Sequence, residues 1–246
     1  MSGHNKWSTI KRKKGAQDAK RSKIFSKIIK EIQIAVREGG PDPEGNPRLR
    51  LAVANAKGAS MPKDNIERAI NKGGDKDSNS YQEVTYEGYL PHGIAVYIEC
   101  TTDNTQRTVA NIRSVFNKYN GNLGTNGSLS FLFDRKGIFT IPKNDLDEEE
   151  FELEIIDAGA EDIEYDDGFF TVTTSMEDFG KMQKKLEEMD VEAENAQLQR
   201  IPKDSVTLEP DEAQKILRII ETFEEDDDVQ NVYHNLEITD EMLAEM

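Results

Sequence analysis

The sequence predicts an α+β fold with three domains, in which an N-terminal helical bundle is followed by two ferredoxin-like α/β domains and the third domain is inserted in the second. Residues 1–73 have the apolar spacing of helices. Residues 137–203 have strand and helix patterns in the order β-α-β-β-α-β, which is typical of a ferredoxin-like unit. The hairpin, helix and strand before Gly137 lack a closing half, which the tail of the chain could supply. We therefore expect domains at 1–75, at 81–135 together with 204–240, and at 136–203.

Three helices are predicted in the N-terminal third. The first runs over Gln17–Glu38, where apolar residues from Ile24 to Val36 recur at helical spacing, and Gly39-Gly40-Pro41 ends it. Asn46-Pro47 begins the second helix as N-cap and first helical residue. The third follows Met61-Pro62 and ends at Gly73-Gly74. Three short helices with small connections predict a compact bundle.

After a polar linker at 75–80 the pattern changes to strands. The middle segment is predicted to contain a hairpin, a helix, a glycine-rich loop and a further strand. In chain order these are Val84–Tyr89 with Ile94–Thr101, Asn104–Tyr119, Gly121–Gly127 and Ser128–Phe133. Thr102 and Asp103 precede the helix and are expected to cap it.

The remaining elements alternate strands and helices. The predicted inserted unit contains strand Ile138–Ile141, helix Asp145–Ala158, strands Asp162–Tyr165 and Phe169–Thr174, helix Met176–Met189 and strand Val191–Arg200. The tail is predicted as strand Val206–Leu208, helix Pro210–Phe223 and strand Val229–Asn235. Of two acidic stretches, Asp145–Glu150 suits the positive end of a helix dipole. Glu224–Asp228 is interpreted as a solvated loop.

The net charge of −17 conceals a strong asymmetry along the chain. Residues 1–73 carry 17 Lys and Arg against 7 Asp and Glu, a net charge of +10, and the remainder carries 14 against 41, a net charge of −27. The total charge alone would argue against a nucleic-acid partner, but a basic module attached to an acidic body reverses that inference.

No run approaches the roughly 18 apolar residues that span a bilayer, and the basic N-terminus lacks the apolar segment of a secretory signal. We therefore expect a cytoplasmic protein. The single cysteine, Cys100, excludes an intramolecular disulfide framework and a Cys-cluster metal site. It lies in an apolar run and is interpreted as a core thiol.

A row of cations runs along the first predicted helix. Lys20, Lys23, Lys27, Lys30 and Arg37 recur at steps that keep them on the face opposite the apolar stripe. Cations in a row can neutralise phosphates, and an indole beside them can stack on an unpaired base. The candidate nucleic-acid-binding residues are His4, Lys6, Trp7, Lys11, Arg12, Lys13, Lys14, Lys20, Arg21, Lys23, Lys27 and Lys30, with Arg37, Arg107 and Arg113 as secondary candidates.

Two other interpretations of this helix stay open. The lysines could form a solvated face with Trp7 as a core anchor, but a solvated face normally mixes both signs of charge. A basic amphipathic helix could also lie on an anionic membrane. The same apolar stripe is needed to close the bundle, so no membrane partner is predicted.

The sequence offers no support for an active site. His4, His92 and His234 form no pair at helical spacing, and no HExxH occurs. The glycine-rich loop at 121–128 lacks both the GxxxxGK[ST] and the GxGxxG patterns, and no GxSxG is present. We therefore predict no catalytic residues, metal site, cofactor or small-molecule substrate.

Several motifs occur in order along almost the whole chain: Gly3-His4-Asn5-Lys6-Trp7 with Ile10-Lys11, Ala16–Arg21, Asn46–Arg50, Met61–Ile70, Tyr86–Tyr89, Thr102–Asn104 with Arg107-Thr108, Gly121–Ser128 and Val232–Asn235. In this combination the sequence resembles the YebC/PmpR/TACO1 family. One departure is the turn Leu90-Pro91-His92-Gly93, where many members have a glycine-richer segment, and it affects only the expected shape of that loop.

The resemblance implies a helical N-terminal domain and two α/β domains, the third inserted in the second, and it implies no catalysis. Members of the family are usually labelled as probable DNA-binding transcriptional regulators. Other members look like translation factors, among them a mitochondrial activator and bacterial proteins that act at the ribosome on difficult proline-containing sequences.

Three functions stay open. A ribosome-associated factor is favoured, because a small basic head could enter an RNA-lined crevice while Trp7 and His4 stack on splayed bases. A transcriptional regulator would need a recognition helix for duplex DNA, and the acidic body would be repelled by a long duplex. A protein-interaction scaffold is the third possibility. We expect a monomer whose partner is nucleic acid, with rRNA and the ribosome favoured and DNA possible.

Overall fold

The computed structural model describes residues 18–75, 81–166 and 168–239. These residues form a mixed α/β fold with seven α-helices and two four-stranded sheets in the described ranges. They divide into two compact units. One contains residues 18–27, 81–134 and 201–239, and the other contains residues 28–75 and 135–200. The division into three domains that the sequence predicts stays a prediction.

The three N-terminal helices are confirmed as α1 (Asp18–Gly39), α2 (Pro47–Gly58) and α3 (Lys63–Gly74). The side chain of Asn46 caps α2 as predicted, because its Oδ1 accepts the backbone N–H of Leu49 at 3.1 Å. The same buried amide donates to the carbonyl oxygen of Ala35 at 2.6 Å. One side chain therefore begins α2 and attaches it to α1.

The later elements follow the predicted order except at the two places described below. They are β1 (Gln82–Tyr89), β2 (Ala95–Thr102), α4 (Thr105–Lys118), β3 (Asn122–Leu123), β4 (Phe133–Pro142), α5 (Glu148–Asp157), β5 (Ala160–Asp166), β6 (Phe169–Ser175), α6 (Phe179–Glu188), β7 (Asn195–Pro202), α7 (Pro210–Glu224) and β8 (Val229–His234). The β-α-β-β-α-β order from β4 to β7 agrees with the sequence-based expectation.

The first sheet has the strand order β3-β1-β2-β8, and β2 pairs with β1 and β8 in antiparallel register. Helices α4 and α7 cover one face of this sheet through a core in which Phe116 and Phe223 have ring centroids 5.0 Å apart. Cys100 is buried in the same core, which confirms its interpretation as a core thiol. Ala95, Tyr97 and Tyr233 belong to a second cluster with Leu129 and Phe133.

The second sheet has the strand order β5-β6-β4-β7. Its core contains Phe151 and Phe170, whose ring centroids are 4.8 Å apart, together with Met182 and Leu186 of α6. Leu51 of α2 packs against this core. The second unit therefore combines α1 from Ile28 onward, the whole of α2 and α3, and most of the second sheet.

The predicted strand Ser128–Phe133 is wrong. Ser130–Leu132 forms a 3-10 helix, β4 begins only at Phe133, and the third strand of the first sheet is the short β3 inside the predicted loop. The cause is Glu87, a residue only 1% exposed, whose carboxylate accepts the N–H groups of Gly127 at 2.7 Å and Leu129 at 2.5 Å. These amides bond to a side chain instead of a neighbouring strand.

Two smaller expectations are also wrong. The N-cap of α4 is Asn104, whose side chain accepts the N–H of Arg107, and neither Thr102 nor Asp103 is the cap. Thr102 instead accepts the N–H of Asn104 and bonds to Asp228. Val206 forms an isolated bridge with Leu236 and no strand over Val206–Leu208. The short stretch after residue 202 therefore pairs at one point only.

Candidate nucleic-acid interface

The candidate residues of the basic module divide into two groups in the structure. His4, Lys6, Trp7, Lys11, Arg12, Lys13 and Lys14 lie outside the described residues. Lys20, Arg21, Lys23, Lys27, Lys30 and Arg37 belong to α1. Arg107 and Arg113 belong to α4, where Arg113 is exposed. The geometry given below therefore concerns the part of the site that α1 and α4 provide.

The environment of α1 changes along its length. Five consecutive residues from Ile32 to Val36 are buried, so this stretch is covered on every side. One cause is α3, where a Cβ on Gly73 would lie 2.9 Å from the Cα of Gln33, so only glycine allows this approach. By contrast Ile24 is 47% exposed, which contradicts its predicted inward position. Apart from the exposed residues 37–39 at its C-terminal end, α1 is therefore open to solvent only before Ile32.

Two lysines of the cation row contact the chain's own backbone. Lys27 Nζ donates to the carbonyl oxygen of Gln230 at 2.8 Å, and Lys23 Nζ donates to the carbonyl oxygen of Glu225. Both acceptors lie in or just after the acidic stretch Glu224–Asp228. The row therefore contacts the acidic loop through Lys23 and the start of β8 through Lys27, and its positive charge lies beside the acidic stretch, which is electrostatically favourable.

The other cations of α1 have different surroundings. The guanidinium of Arg21 lies over the ring of Phe25, 5.4 Å from its centroid, and so sits on the apolar side of the helix. Lys30 is half-buried, and Arg37 is exposed near the C-terminal end. Arg37 in the last turn also suits the negative end of the helix dipole. The structure therefore does not bring all the candidate cations to one face.

The acidic stretch is not a solvated loop throughout, because Asp228 is only 4% exposed. Its Oδ2 accepts hydrogen bonds from Arg107 Nη2 at 2.7 Å, from Thr108 Oγ1 at 2.9 Å and from Thr102 Oγ1 at 3.0 Å. Donors from the end of β2 and the start of α4 thus converge on one carboxylate. This network fixes the loop before β8 to the first turn of α4.

Arg107, a secondary phosphate-binding candidate, is held inside this network. Besides Asp228 its guanidinium donates to Asp103 Oδ1 at 2.9 Å. Hydrogen bonding to Asp228, and then to Asp103, raises the pKa of Arg107 above its ordinary value. Nearby, burial and then the negative charge of Asp103 raise the pKa of Tyr81. The arrangement is that of a structural ion pair at the head of α4.

Sequence reasoning missed both uses of the acidic stretch. The opposite charges of the basic module and the acidic body were visible, but spacing alone could not show that Lys23 contacts the loop after α7 and Lys27 the start of β8. The polar run before α4 was visible too, yet its distant carboxylate partner Asp228 could not be identified from local pattern.

Within the described ranges, no helix combines the length and the apolar character needed to cross a membrane. In the same part of the chain, no three His, Cys, Asp or Glu side chains are grouped so that they could hold a metal ion.

Comparison with protein families gives matches along nearly the whole chain. A model described as the TACO1/YebC protein N-terminal domain matches residues 5–76, and a model described as the TACO1/YebC second and third domain matches residues 81–236. The boundary between the two matches falls at the linker between α3 and β1.

Individual relatives show the same similarity. A probable transcriptional regulatory protein of Amoebophilus asiaticus is 53% identical over 96% of this chain and 98% of its own length. One from a Geobacter species, strain M21, is 51% identical, with both chains covered completely. The crystal structure of a conserved hypothetical protein from Aquifex aeolicus superposes with a TM-score of 0.83 at 45% identity, covering 92% of this chain and 94% of that chain.

Proposed function

The chain belongs to the TACO1/YebC family, and from this premise we propose that it is a non-enzymatic regulator of gene expression that binds ribosomal RNA through its basic N-terminal module. The proposal includes a cytoplasmic location and a monomeric state. The observation that carries it is the segregation of charge, with +10 in residues 1–73 and −27 in the rest of the chain. Phosphate binding by such a module releases counterions and supplies affinity without requiring a base sequence.

The upstream part of the module carries most of the proposed contacts. Residues 1–17 contain five Lys or Arg and no Asp or Glu. Lys23 and Lys27 already donate to backbone carbonyls of the body, so phosphates would have to compete for them. We therefore assign the principal contacts to the cluster Lys11–Lys14, with Lys6 and Trp7 beside it. The cations of α1 add to them.

RNA is favoured over duplex DNA for two physical reasons. A recognition helix needs an open face along several turns to enter the major groove, but α1 is buried on all sides from Ile32 to Val36. In addition, a body with a net charge of −27 is repelled by a long duplex. A basic head on an acidic body suits a crevice between RNA elements, where only the head meets phosphates.

A transcriptional regulator that binds duplex DNA is the second candidate function. The observation in its favour is the name of the relatives, which are called probable transcriptional regulatory proteins. Under this alternative the same cations contact DNA phosphates, and sequence selectivity must come from base contacts or from DNA shape.

The deciding experiment follows the protein through a sucrose gradient with and without RNase. The test variant reverses the charge of Lys11, Lys13 and Lys14, and the matched control reverses three lysines of the body, Lys181, Lys184 and Lys215. Under the proposal the wild type and the control migrate with ribosomes until RNase is added. The test variant stays at the top of the gradient while keeping its circular dichroism spectrum.

A parallel assay measures promoter-DNA binding at about 0.15 M salt, because electrostatic binding at lower salt exaggerates non-specific affinity. The ribosomal proposal expects weak binding that ignores sequence. A protein that stays at the top of the gradient and selects one promoter over a scrambled duplex would establish the transcriptional alternative instead.

A further inference from the structure

Helix α5 presents an aliphatic pair to solvent on the side opposite its core contacts. Phe151 and Ile155 are the buried residues of this helix, at 1% and 0% exposure. At about 100° per residue, Leu153 points directly away from the direction that these two share. Leu153 is 68% exposed, and Ile156, one turn further on, is 54% exposed. These two side chains form a continuous apolar ridge on the outer face of the helix.

Comparison with helix α6 shows that a helix packed on this sheet does not need to expose large apolar side chains. Helix α6 belongs to the same unit and buries Met182 and Leu186 in the same core. Its outer face instead carries Lys184 and Glu188, whose charged atoms lie 3.6 Å apart. The described residues of α6 include no exposed large apolar side chain. Two helices with the same role in the fold thus differ in what they show to solvent.

Carboxylates surround the ridge. Six of the ten residues of α5 are Asp or Glu, and none is Lys or Arg. Three of the chain's own lysines reach the flanks and the C-terminal end of the helix. Lys143 pairs with Glu148 at 2.9 Å, Lys185 pairs with Glu154, and Lys181 Nζ donates to the carbonyl oxygen of Asp157 at 2.7 Å. Over the described ranges, no ion pair involves the outer carboxylates, which are those of Glu149, Glu150, Glu152 and Asp157.

We propose that the outer face of α5 is a docking surface for a basic protein segment that carries an aliphatic side chain between Lys or Arg residues. The ridge of Leu153 and Ile156 supplies apolar area that becomes buried on binding. The four outer carboxylates select a cationic partner and speed its approach. The same carboxylates repel nucleic acid and anionic lipid, which excludes both as occupants of this face. This interaction is separate from the RNA contact proposed for the N-terminal module.

The test uses the full chain and a defined probe. The probe is a fluorescent synthetic peptide that forms an amphipathic helix with Leu on one face and Lys on the other, and its binding is measured by fluorescence anisotropy at about 0.15 M salt. The test variant is Leu153→Gln with Ile156→Gln, which preserves both charge and helix propensity. The matched control is Lys184→Gln with Glu188→Gln, which changes two exposed residues of α6 at constant net charge.

We expect the Leu153→Gln/Ile156→Gln variant to bind the peptide at least about tenfold more weakly than the wild type, and the α6 control to bind within about twofold of it. A second peptide with Ser in place of Leu should bind the wild-type chain more weakly than the first peptide, by a similar factor. Unchanged unfolding curves show that both variants are folded, since neither change removes a buried group.

Two results would overturn the proposal. Equal affinity of the wild type and the Leu153→Gln/Ile156→Gln variant would reduce the interaction to general attraction between a basic peptide and an acidic body. Light scattering that shows a dimer for the wild type and a monomer for the variant would identify a second copy of the chain as the occupant. No nucleic acid enters these measurements, so their outcome does not depend on the function proposed above.

Discussion

The side-chain amide of Asn55 and the backbone of Ala196 exchange two hydrogen bonds. Asn55 Nδ2 donates to the carbonyl oxygen of Ala196 at 2.8 Å, and the N–H of Ala196 donates to Asn55 Oδ1 at 2.9 Å. Ala196 lies on β7, an edge strand of the second sheet, whose outward backbone groups would otherwise need another partner. An amide side chain on α2 therefore occupies the place that a further strand would take.

Replacing Asn55 with Ala should lower the free energy of unfolding by about 2 kcal/mol, because the change leaves a half-buried N–H and C=O of β7 without their partner. Urea unfolding followed by circular dichroism measures this loss. The control is Asn71→Ala on the exposed face of α3, which should change stability by less than about 0.5 kcal/mol. If the two variants unfold alike, the paired hydrogen bonds contribute nothing to stability.

Replacing Arg107 with Ala should also lower the free energy of unfolding, because the buried carboxylate of Asp228 loses its guanidinium partner. The hydroxyls of Thr102 and Thr108 would still donate to this carboxylate, but neither carries a charge that compensates it. The loss lies below that for a fully buried pair because the Arg107 side chain is 46% exposed. Arg113→Ala, an exposed change on the same helix, serves as the control. If the Arg107→Ala variant is as stable as the wild type, the fold does not need this arginine, and a phosphate contact becomes the better explanation of it.

Glu87→Gln tests the side chain that sets the path of the chain before β4. A carboxylate accepts both the Gly127 and the Leu129 N–H groups, whereas an amide has only one oxygen acceptor and directs an NH₂ group at the other N–H. We expect a loss of about 2 kcal/mol and faster proteolysis near residue 127. Glu83→Gln, the same chemical change at an exposed residue at the start of β1, should alter both quantities much less. A protected segment in the Glu87 variant would contradict this assignment.

Neutralising the acidic stretch should strengthen RNA binding. Glu224 ends α7, and Glu225 and Asp227 lie in the loop that follows, which Lys23 contacts, so their negative charge opposes incoming phosphates. We expect a variant with Gln, Gln and Asn at these positions to bind RNA several-fold more tightly at about 0.05 M salt, with the gain lost at about 0.5 M. The control removes three carboxylates of α5, Glu149, Glu150 and Glu152. An equal gain in the control would indicate a general charge effect.

Trp7→Ala tests the stacking role proposed for the indole. If Trp7 stacks on an unpaired base, the variant loses about 1–3 kcal/mol of binding free energy to single-stranded RNA and much less to duplex DNA, whose bases are already stacked. Fluorescence anisotropy with both ligands at one salt concentration measures the difference. Trp7→Phe should restore most of the RNA affinity. Equal losses with the two nucleic acids would remove stacking from the mechanism.

Helices were predictable from sequence because their causes are local. The Asn46-Pro47 pair and the spacing of apolar residues place α2, and each signal spans only a few positions. The absence of a strand over residues 128–132 was not predictable. The path of the chain there depends on Glu87, which is about forty residues away. The buried role of Asp228 escaped for the same reason, as its partners Thr102 and Arg107 lie more than a hundred residues upstream. Charge pattern indicated which segments are basic or acidic, but not which of them meet.

The pairing of β2 with β8 joins two strands that are far apart in the order of synthesis. Strand β2 leaves the ribosome early, but the strand that covers its second edge begins only at Val229. Until then β2 has an open edge, and its core lacks Val229 and Val232. Chains that end before Val229 keep this edge and this gap. The first sheet can therefore complete its β2 edge and its core only after β8 has been translated, and a chain that ends earlier exposes the unpaired edge and apolar surface that favour aggregation.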